Sequence, residues 1–251
     1  MKTVQVRNIT LGEGRPKICV PIVGQTKDDI LLEAGTFARI PVDVVEWRVD
    51  WFEDVFDTDK VLDVAKDLQT ILKDTPILFT FRTAKEGGEK AISNEDYKAL
   101  NMAVAKSGYV DLIDVEAFTG EEIVKSMIRE AHSYGVKVIA SNHDFDATPE
   151  KDEIVRRLCM MQNYGADIPK MAVMPRNKQD VLTLLSATLE MSEQFADRPI
   201  ITMAGTGVVS RLTGETFGSA LTFGAATKAS APGQINVNEL EQVLDIIHKS
   251  L

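Results

Sequence analysis

The sequence predicts a single (β/α)8 barrel, a TIM barrel of the α/β class that spans residues 1–251 as one domain. The first observation is a short β-rich segment followed by a longer amphipathic segment, repeated eight times. The second is the length of 251 residues, which suits eight such units. The third is the uniform composition, because no linker or low-complexity segment divides the chain.

Eight segments have the apolar and β-branched composition of strands. They are Lys17–Val23, Asp43–Val49, Ile77–Arg82, Asp111–Glu116, Val136–Ser141, Ile168–Met174, Pro199–Met203 and Leu221–Ala225. A doubly wound sheet is the alternative fold, but such sheets usually have fewer strands and carry a dinucleotide fingerprint after the first one. No convincing fingerprint follows the first strand here, so the barrel is favoured.

The segments between the strands carry helix signals. Capping patterns at Thr119–Glu122 and Thr148–Pro149 predict helix starts at those positions. Residues 177–194 and 238–250 have apolar side chains at i, i+3 and i+4, as amphipathic helices do. The N-terminal segment Thr3–Glu13 alternates around a turn and predicts a β-hairpin that closes the bottom of the barrel.

The charge balance narrows the function. With 38 acidic and 28 basic residues the net charge is -10, which argues against nucleic acid or an anionic membrane as a partner. An anionic small substrate would then need local cations. Cys19 and Cys159 lie in apolar segments and are expected to be buried free thiols. No apolar run has the length of a signal-peptide core or a membrane helix, so we expect a cytoplasmic protein.

Charged residues interrupt strands that should be apolar on both faces. In the second strand Glu46 and Arg48 alternate with Val45, Trp47 and Val49, so the charged pair points into the barrel. The same parity directs seven residues to the C-terminal mouth, where barrel enzymes have their active sites. They are Glu46, Arg48, Arg82, Asp114, Glu116, His143 and Lys170. The alternative is an ion-pair network that only satisfies itself.

Lys170 is the single residue that most strongly indicates a functional site, because it interrupts the apolar sixth strand within DIPKMAVM. We expect burial and neighbouring cations to leave its amine uncharged often enough to act as a nucleophile. A snorkelling or salt-bridged lysine is the alternative. His143, in SNHD at the end of the fifth strand, has the titration range of a general acid–base. Glu86, in the loop KEGGEK, is a carboxylate that could orient it. A metal site at His143 and Asp144 is disfavoured, because no second histidine or cysteine has ligand spacing.

Two glycine-containing segments follow the last strands. GTGVVS (205–210) lacks the third glycine of a dinucleotide motif and comes late in the chain, so it does not predict nucleotide binding. Arg211 follows it, and its guanidinium fork matches a carboxylate. SAPGQ (230–234) predicts a mobile lid with hydrogen-bonding groups, with a plain loop as the alternative.

Taken in order, these segments resemble the type I 3-dehydroquinate dehydratase family over nearly the whole chain. The motifs that carry the resemblance are EWRVD (46–50), FTFR (79–82), KEGGE (85–89), SNHDF (141–145), GADIPKMAVMP (165–175), VSRLTGE (209–215), FGSALTFG (217–224) and SAPGQ (230–234). Many motifs in the right order are far more specific than any one of them.

The resemblance implies dehydration of 3-dehydroquinate to 3-dehydroshikimate, the third step of the shikimate pathway toward aromatic amino acids. Lys170 would form an imine with the C3 ketone. His143 would take the C2 proton and assist loss of the C1 hydroxyl as water in a syn elimination, while Glu86 pairs with His143. The family uses no metal or organic cofactor and commonly forms homodimers.

The resemblance also implies a set of substrate-binding residues: Glu46, Arg48, Arg82, Met203, Arg211, Ser230 and Gln234. Arg211 would hold the substrate carboxylate, helped by the two lid residues. Glu46, Arg48 and Arg82 would contact ring hydroxyls.

One stretch departs from the family pattern. ITMAGTGVVSR is two residues shorter than the usual form and lacks its second methionine. We expect the loop to re-close and activity to survive. Pro21 is a smaller departure, because some relatives have serine there, and a proline near a strand end is tolerated if its missing N–H faces no partner.

Two other functions are compatible with a barrel of this kind. A class I aldolase or transaldolase also uses a lysine imine, but it cleaves a carbon–carbon bond and often binds phosphate. A barrel that binds a small acid without turnover is the second alternative. The combination of EGGE, SNHD and SAPGQ favours the dehydratase.

Overall fold

The computed structural model describes residues 3–226 and 230–251 and contains all eight predicted barrel strands. Two short strands precede them, β1 (Val4–Val6) and β2 (Ile9–Leu11), which pair antiparallel as the predicted hairpin. The barrel strands are β3 (Lys17–Ile22), β4 (Val44–Arg48), β5 (Ile77–Thr80), β6 (Leu112–Glu116), β7 (Lys137–Asp144), β8 (Ile168–Val173), β9 (Ile201–Ala204) and β10 (Leu221–Phe223).

The eight strands form one parallel sheet in the order β10-β3-β4-β5-β6-β7-β8-β9. The two outer strands approach each other just before β9 and β10 begin. There Ile200 and Ser219 form a parallel bridge, and the Ala220 N–H donates to the Ile200 carbonyl at 2.8 Å. These contacts close the sheet into a barrel, with helices between the strands.

The helices cover the outside of the barrel. They are α1 (Lys27–Thr36), α2 (Thr58–Leu72), α3 (Asn94–Ser107), α4 (Glu121–Ser133), α5 (Lys151–Asn163), α6 (Lys178–Glu190), α7 (Val209–Leu212), α8 (Gly214–Phe217) and α9 (Val237–His248). Within the two described ranges, none of them combines the length and apolar character needed to cross a bilayer.

Two predicted helix starts were wrong by one or two residues. Helix α4 begins after Gly120, because the Thr119 hydroxyl donates to the Glu116 carbonyl at 2.8 Å instead of capping the helix. Helix α5 begins at Lys151 rather than at Pro149, because the backbone of Glu150 is still extended, with ψ of 150°.

The interior of the barrel has two layers. In the lower layer, the hairpin side chains Val6 and Leu11 pack against inward side chains from all eight strands, among them Val44 and Leu78. The hairpin therefore closes the N-terminal end, as predicted. Cys19 is buried in this layer, whereas Cys159 is only half-buried on α5, so the expectation of burial was wrong for that thiol. The layer above is charged and forms the site.

Candidate active site

A cavity of about 130 Å³ opens above the apolar layer, at the C-terminal ends of the strands. All ten candidate site residues line it: Glu46, Arg48, Arg82, Glu86, His143, Lys170, Met203, Arg211, Ser230 and Gln234. The inward parity of the strands brings Glu46, Arg48, Arg82, His143 and Lys170 together, because side chains alternate with period two. Glu86 comes from the loop that follows β5. The other four come from β9 and from the segments that follow β9 and β10.

Lys170 lies on β8 with only 3% of its surface exposed. Its Nζ is 3.2 Å from Oδ2 of Asp114 and 4.7 Å from the centre of the Phe223 ring. Asp114 is fully buried, and although burial opposes its ionisation, Arg82 and Lys170 hold its pKa below the ordinary range. The amine is therefore salt-bridged, as one alternative reading of the sequence had it, and it also faces the cavity.

Arg82 lies just past the end of β5, at the centre of a buried ion-pair network. Its Nη2 donates to Asp114 Oδ1 at 2.8 Å, and its Nη1 donates to Glu116 Oε1 at 2.9 Å. The Ser141 hydroxyl donates to Asp114 Oδ1 at 2.6 Å. Such an arrangement fixes the guanidinium in one orientation before any ligand arrives.

The end of β4 is fixed by a carboxylate that follows it. Asp50, in a single 3-10 turn, accepts two hydrogen bonds from Arg48, each at 2.8 Å. It also accepts from the backbone N–H of Arg82 at 3.3 Å and of Glu89 at 3.1 Å. Glu46 accepts from the Thr80 hydroxyl at 3.0 Å. One buried aspartate thus links the first two strand ends of the site.

Two glycines give the KEGGE loop its tight path over the site. Gly87 has φ of 82°, which is the left-handed region that side chains disfavour, and a Cβ there would collide with the ring of Phe145. At Gly88 a Cβ would collide with the carbonyl of Arg82. The loop returns close to its own strand, and Glu86 is thereby brought to the mouth.

Glu86 and His143 form a hydrogen-bonded pair. Oε2 of Glu86 lies 2.9 Å from both the backbone nitrogen and Nδ1 of His143. Burial raises the pKa of Glu86 to about 7, opposed chiefly by the nearby Arg82. Burial, and then Arg82 and Lys170, lower the pKa of His143 well below its ordinary value. The histidine is therefore neutral near pH 7, and ionised Glu86 holds the tautomer in which Nδ1 carries the proton and Nε2 is free to accept one.

Arg211 differs from the other cations of the mouth. It is 3% exposed, and its Nε has no hydrogen-bond partner among the described residues. Its Nη2 donates to the carbonyl of Pro232 in the SAPGQ segment at 2.9 Å, and its Nη1 is 3.5 Å from the Met203 sulfur. Burial lowers its pKa to about 10. A buried guanidinium without a carboxylate is a site for an anion.

The SAPGQ segment covers the cavity beside Arg211. Its two ends are tied together, because the Gln234 amide donates to the Ser230 hydroxyl at 3.0 Å and its Oε1 accepts from the Ser230 N–H at 2.9 Å. Below it, the Ala225 N–H donates to the Ile235 carbonyl at 2.8 Å. Residues 227–229, which belong to the predicted lid loop, lie outside the described residues.

The shortened loop after β9 still brings Arg211 to the cavity. Gly205 has no side chain, and a Cβ there would lie 2.7 Å from the terminal methyl group of Met174. The Met174 side chain thus fills the space that a side chain at position 205 would need. The Ser210 hydroxyl donates to the Gly207 carbonyl at 3.2 Å and accepts from the Ala204 N–H at 3.0 Å, which closes the loop at its base.

Sequence reasoning assigned no role to two residues that hold the site together. Asp50 is part of the EWRVD motif, but it lies in the turn after β4, where the alternation of side chains along the strand no longer gives its direction. Asn142 is part of the SNHD motif, and its amide donates to Oε1 of Glu86 at 3.1 Å. The signal for Asn142 was available, because a polar residue there interrupts the outward apolar face of the fifth barrel strand. No group of three or more His, Cys, Asp or Glu within residues 3–226 and 230–251 is arranged to hold a metal ion.

Comparisons with known proteins agree on one family. A family model described as Type I 3-dehydroquinase matches residues 18–251. A protein of Listeria monocytogenes serotype 4a named 3-dehydroquinate dehydratase is 60% identical over 251 residues, 99% of each chain. One of the same name from Clostridioides difficile (strain 630) is 57% identical over 252 residues, 100% of this chain and 99% of that relative.

Solved structures agree with the sequence relatives. The crystal structure of type I 3-dehydroquinate dehydratase from Clostridium difficile, with covalently modified comenic acid, has a TM-score of 0.97 at 57% identity over 100% of both chains. The 3-dehydroquinate dehydratase of Geobacillus kaustophilus has a TM-score of 0.96 at 39% identity, covering 99% of this chain and 97% of that one.

Proposed function

Because this chain belongs to the type I 3-dehydroquinase family, we propose that it removes water from 3-dehydroquinate through a Schiff base formed on Lys170. The enzyme is a 3-dehydroquinate dehydratase, a carbon–oxygen lyase, and family membership decides against the aldolase and the non-catalytic barrel. The observation that supports the Schiff base best is the buried Lys170 amine, which faces the cavity within 3.2 Å of the Asp114 carboxylate.

The first chemical step joins the amine to the substrate. The Lys170 amine, freed of one ammonium proton, attacks the C3 carbonyl to form a carbinolamine. That proton and one N–H proton pass to the former carbonyl oxygen, which leaves as one water, so a protonated imine remains. Asp114 lies beside the nitrogen that carries this new positive charge, and its carboxylate stabilises the iminium. The iminium draws electrons from C2 and makes the C2 proton far more acidic.

His143 then moves one proton twice. Nε2 of the neutral imidazole accepts the C2 proton, and the electron pair of the C–H bond forms an enamine. The enamine expels the C1 hydroxyl, which takes the same proton from the imidazolium and leaves as water. A second water hydrolyses the product imine, which releases 3-dehydroshikimate and frees Lys170. The low pKa of His143 favours both its neutral starting form and its return of the proton.

Substrate recognition uses the remaining residues of the cavity. Arg211 binds the substrate carboxylate, which supplies the anion that its buried guanidinium lacks among the described residues. Ser230 and Gln234 add hydrogen-bonding groups from the SAPGQ segment. Glu46, Arg48 and Arg82 contact the ring hydroxyls, and Met203 packs against the ring.

Reductive trapping tests the mechanism. Borohydride added with 3-dehydroquinate should leave a stable mass adduct on Lys170 of the wild-type enzyme. Lys170→Ala should lose both the adduct and turnover. His143→Ala should still be trapped but should turn over about 10²–10⁴-fold more slowly, the usual contribution of a general acid–base. Turnover without any adduct on Lys170 would contradict the Schiff-base mechanism. Full turnover by His143→Ala would contradict the acid–base role of His143.

The pH profile gives a second test. Ionised Glu86 keeps Nε2 of His143 free of a proton, so activity requires a deprotonated Glu86. With the pKa of Glu86 raised to about 7, kcat/KM should fall about tenfold per pH unit as the pH drops below about 7. Glu86→Gln cannot ionise, and its lower activity should lose this acid limb. An unchanged limb in that variant would show that another group titrates.

Three further features are part of the proposal. The enzyme acts at the third step of the shikimate pathway, in the cytoplasm, where two free cysteines are the expected state. It forms a homodimer, as the family resemblance implies. Light scattering on the purified chain should give twice the mass of 27.7 kDa, and a monomer at micromolar concentration would contradict the dimer.

A further inference from the structure

The fifth barrel strand carries a buried amide on a face that is otherwise apolar. Along β7, Val138 and Ala140 point outward into the apolar core between strands and helices. Asn142 follows on the same face with 7% of its surface exposed. A buried amide is costly unless it is hydrogen-bonded, so its partners indicate why it is there.

Asn142 connects the catalytic carboxylate to a helix outside the barrel. Its Nδ2 donates to Oε1 of Glu86 at 3.1 Å, and its Oδ1 accepts from Nη1 of Arg157 on α5 at 2.9 Å. A guanidinium has only donors, so the amide oxygen has to face Arg157. The amide NH₂ therefore has to face Glu86, and Arg157 fixes this orientation.

Arg157 is itself held in place. Its Nε donates to Glu153 Oε1 at 2.7 Å, one turn earlier on the same helix. Its guanidinium lies 5.5 Å from the centre of the Phe118 ring, and its Nη1 is 3.6 Å from Asp144 Oδ2. The arginine is thus fixed by three neighbours before it meets the amide.

We propose that Asn142 and Arg157 are positioning residues, which act through Glu86 to keep its carboxylate ionised and directed at Nδ1 of His143. This inference rests on the proposed function, because it concerns the acid–base pair of that reaction. Neither residue lines the cavity, so neither touches substrate in this assignment. Glu86 uses Oε2 for His143 and Oε1 for Asn142, and the two contacts together fix the plane of the carboxylate.

The electrostatic surroundings of Glu86 explain why it needs such a donor. Arg82 lies 3.7 Å from its Oε2 and favours ionisation, whereas burial and the carboxylates of Glu116 and Asp114 oppose it. The hydrogen bond from Asn142 lowers the pKa of Glu86 against this opposition. Without that bond, Glu86 takes up a proton at a higher pH.

A protonated Glu86 has a direct consequence for the reaction. Its hydroxyl can donate to Nδ1 of His143, which moves the ring proton to Nε2 and removes the base that accepts the C2 proton. Loss of the Asn142 donor should therefore move the acid limb of the pH–rate profile toward higher pH. A residue that only supports the fold would lower activity equally at every pH.

The neighbouring arginine provides a matched control. Arg156 pairs with the same Glu153, at 2.6 Å from Oε2, but it is exposed and does not touch the amide. We would measure kcat and KM from pH 5.5 to 9 for Asn142→Ala, Arg157→Ala, Arg157→Lys and Arg156→Ala, together with the borohydride adduct on Lys170.

The expected result separates the variants by their pH profiles. In Asn142→Ala the acid limb of kcat should move up by about one pH unit, which is a tenfold loss below the limb and little loss at pH 9. Arg157→Ala should move it in the same direction by less, because the amide can still donate when it is correctly oriented. Arg157→Lys should show a smaller shift than Arg157→Ala, and the acid limb of Arg156→Ala should match that of the wild type. Adduct formation and KM should change little.

Two outcomes would overturn the assignment. One is that neither Asn142→Ala nor Arg157→Ala moves the acid limb away from its position in Arg156→Ala. The other is an equal loss of kcat at all pH values. If Asn142→Ala does not fold, Asn142→Ser and the Arg157 variants carry the same comparison. Failure of the proposed function is distinguishable, because it appears as missing trapping on Lys170 in the wild type.

Discussion

The two sides of the barrel mouth hold their cations in different ways. On the side formed by β4 to β8, Arg48, Arg82 and Lys170 each have a buried carboxylate within 3.2 Å. On the side formed by β9 and β10, Arg211 is equally buried, but no carboxylate among the described residues pairs with it; its hydrogen bond goes to the carbonyl of Pro232. The first side is electrostatically complete without substrate, and the second becomes complete when an anion binds.

Under the proposed mechanism, this difference gives the two sides different tasks. The chemistry of imine formation and proton transfer needs groups that are held in place before the reaction, because reorganising them in the transition state would cost free energy. Binding of the substrate carboxylate needs the opposite, a cation that is desolvated and still available. Removing a charged side chain on the first side should therefore affect folding as well as rate, whereas removing the Arg211 guanidinium on the second side should affect binding alone.

The largest effect should come from Asp114→Ala. This change leaves two buried cations, Arg82 and Lys170, without a shared partner. Breaking a buried ion pair costs about 3–5 kcal/mol of unfolding free energy, so the thermal midpoint should fall by roughly 10 °C in a chain of this size. Circular dichroism at pH 7.5 measures it. A midpoint within about two degrees of the wild-type value would mean that the paired side contributes no more to folding than the open side.

Arg211→Ala should have the opposite signature. The KM should rise about 10²-fold, because charge-assisted hydrogen bonds to the carboxylate contribute roughly 1.5–3 kcal/mol each. The thermal midpoint of the free enzyme should stay level or rise, since an unpaired buried guanidinium is removed. Arg211→Lys keeps the positive charge but loses the two-pronged guanidinium, so its KM should lie between those of the wild type and Arg211→Ala. A fall in the midpoint as large as that of Asp114→Ala would erase the distinction between the two sides.

The contrast between the sides also marks what the sequence could predict. Inward residues such as Glu46, Arg48 and Lys170 were predicted from strand parity alone, because side-chain direction in a strand has period two. Their pairing was not predictable, since it depends on distances between strands that are far apart in the chain. Asp50 lies in a turn, where parity gives no direction.

The open side shows a similar limit. Arg211 was predicted as a carboxylate ligand, and the sequence could suggest a lid, but not that Pro232 would accept from the arginine. That contact joins two loops whose conformations depend on each other. The helix start at Thr119 was wrong for a related reason. The hydroxyl that would have capped the helix already had a partner at the end of β6.

The smallest effect should come from Gly233→Ala, which tests how the open side closes. Gly233 has φ of 76°, and a Cβ there would collide with the carbonyl oxygen of Gly205 in the shortened loop. The SAPGQ segment would have to move away from Arg211, and we expect kcat/KM to fall about tenfold, since strain and lost closure of this kind amount to about 1–2 kcal/mol. Steady-state kinetics with 3-dehydroquinate measures the change.

Gly14→Ala is the matched control for that variant. Gly14 also has a left-handed backbone, with φ of 66°, but nothing lies within 4 Å of the added Cβ, and the position follows the hairpin at the opposite end of the barrel. Both substitutions therefore carry similar backbone strain, about 1 kcal/mol, and both should lower the thermal midpoint slightly. Only Gly233→Ala should also lower kcat/KM, because only there does the side chain separate the lid from the loop that carries Arg211. Equal kinetic losses in the two variants would show that strain alone, and not lid contact, sets the rate on this side of the mouth.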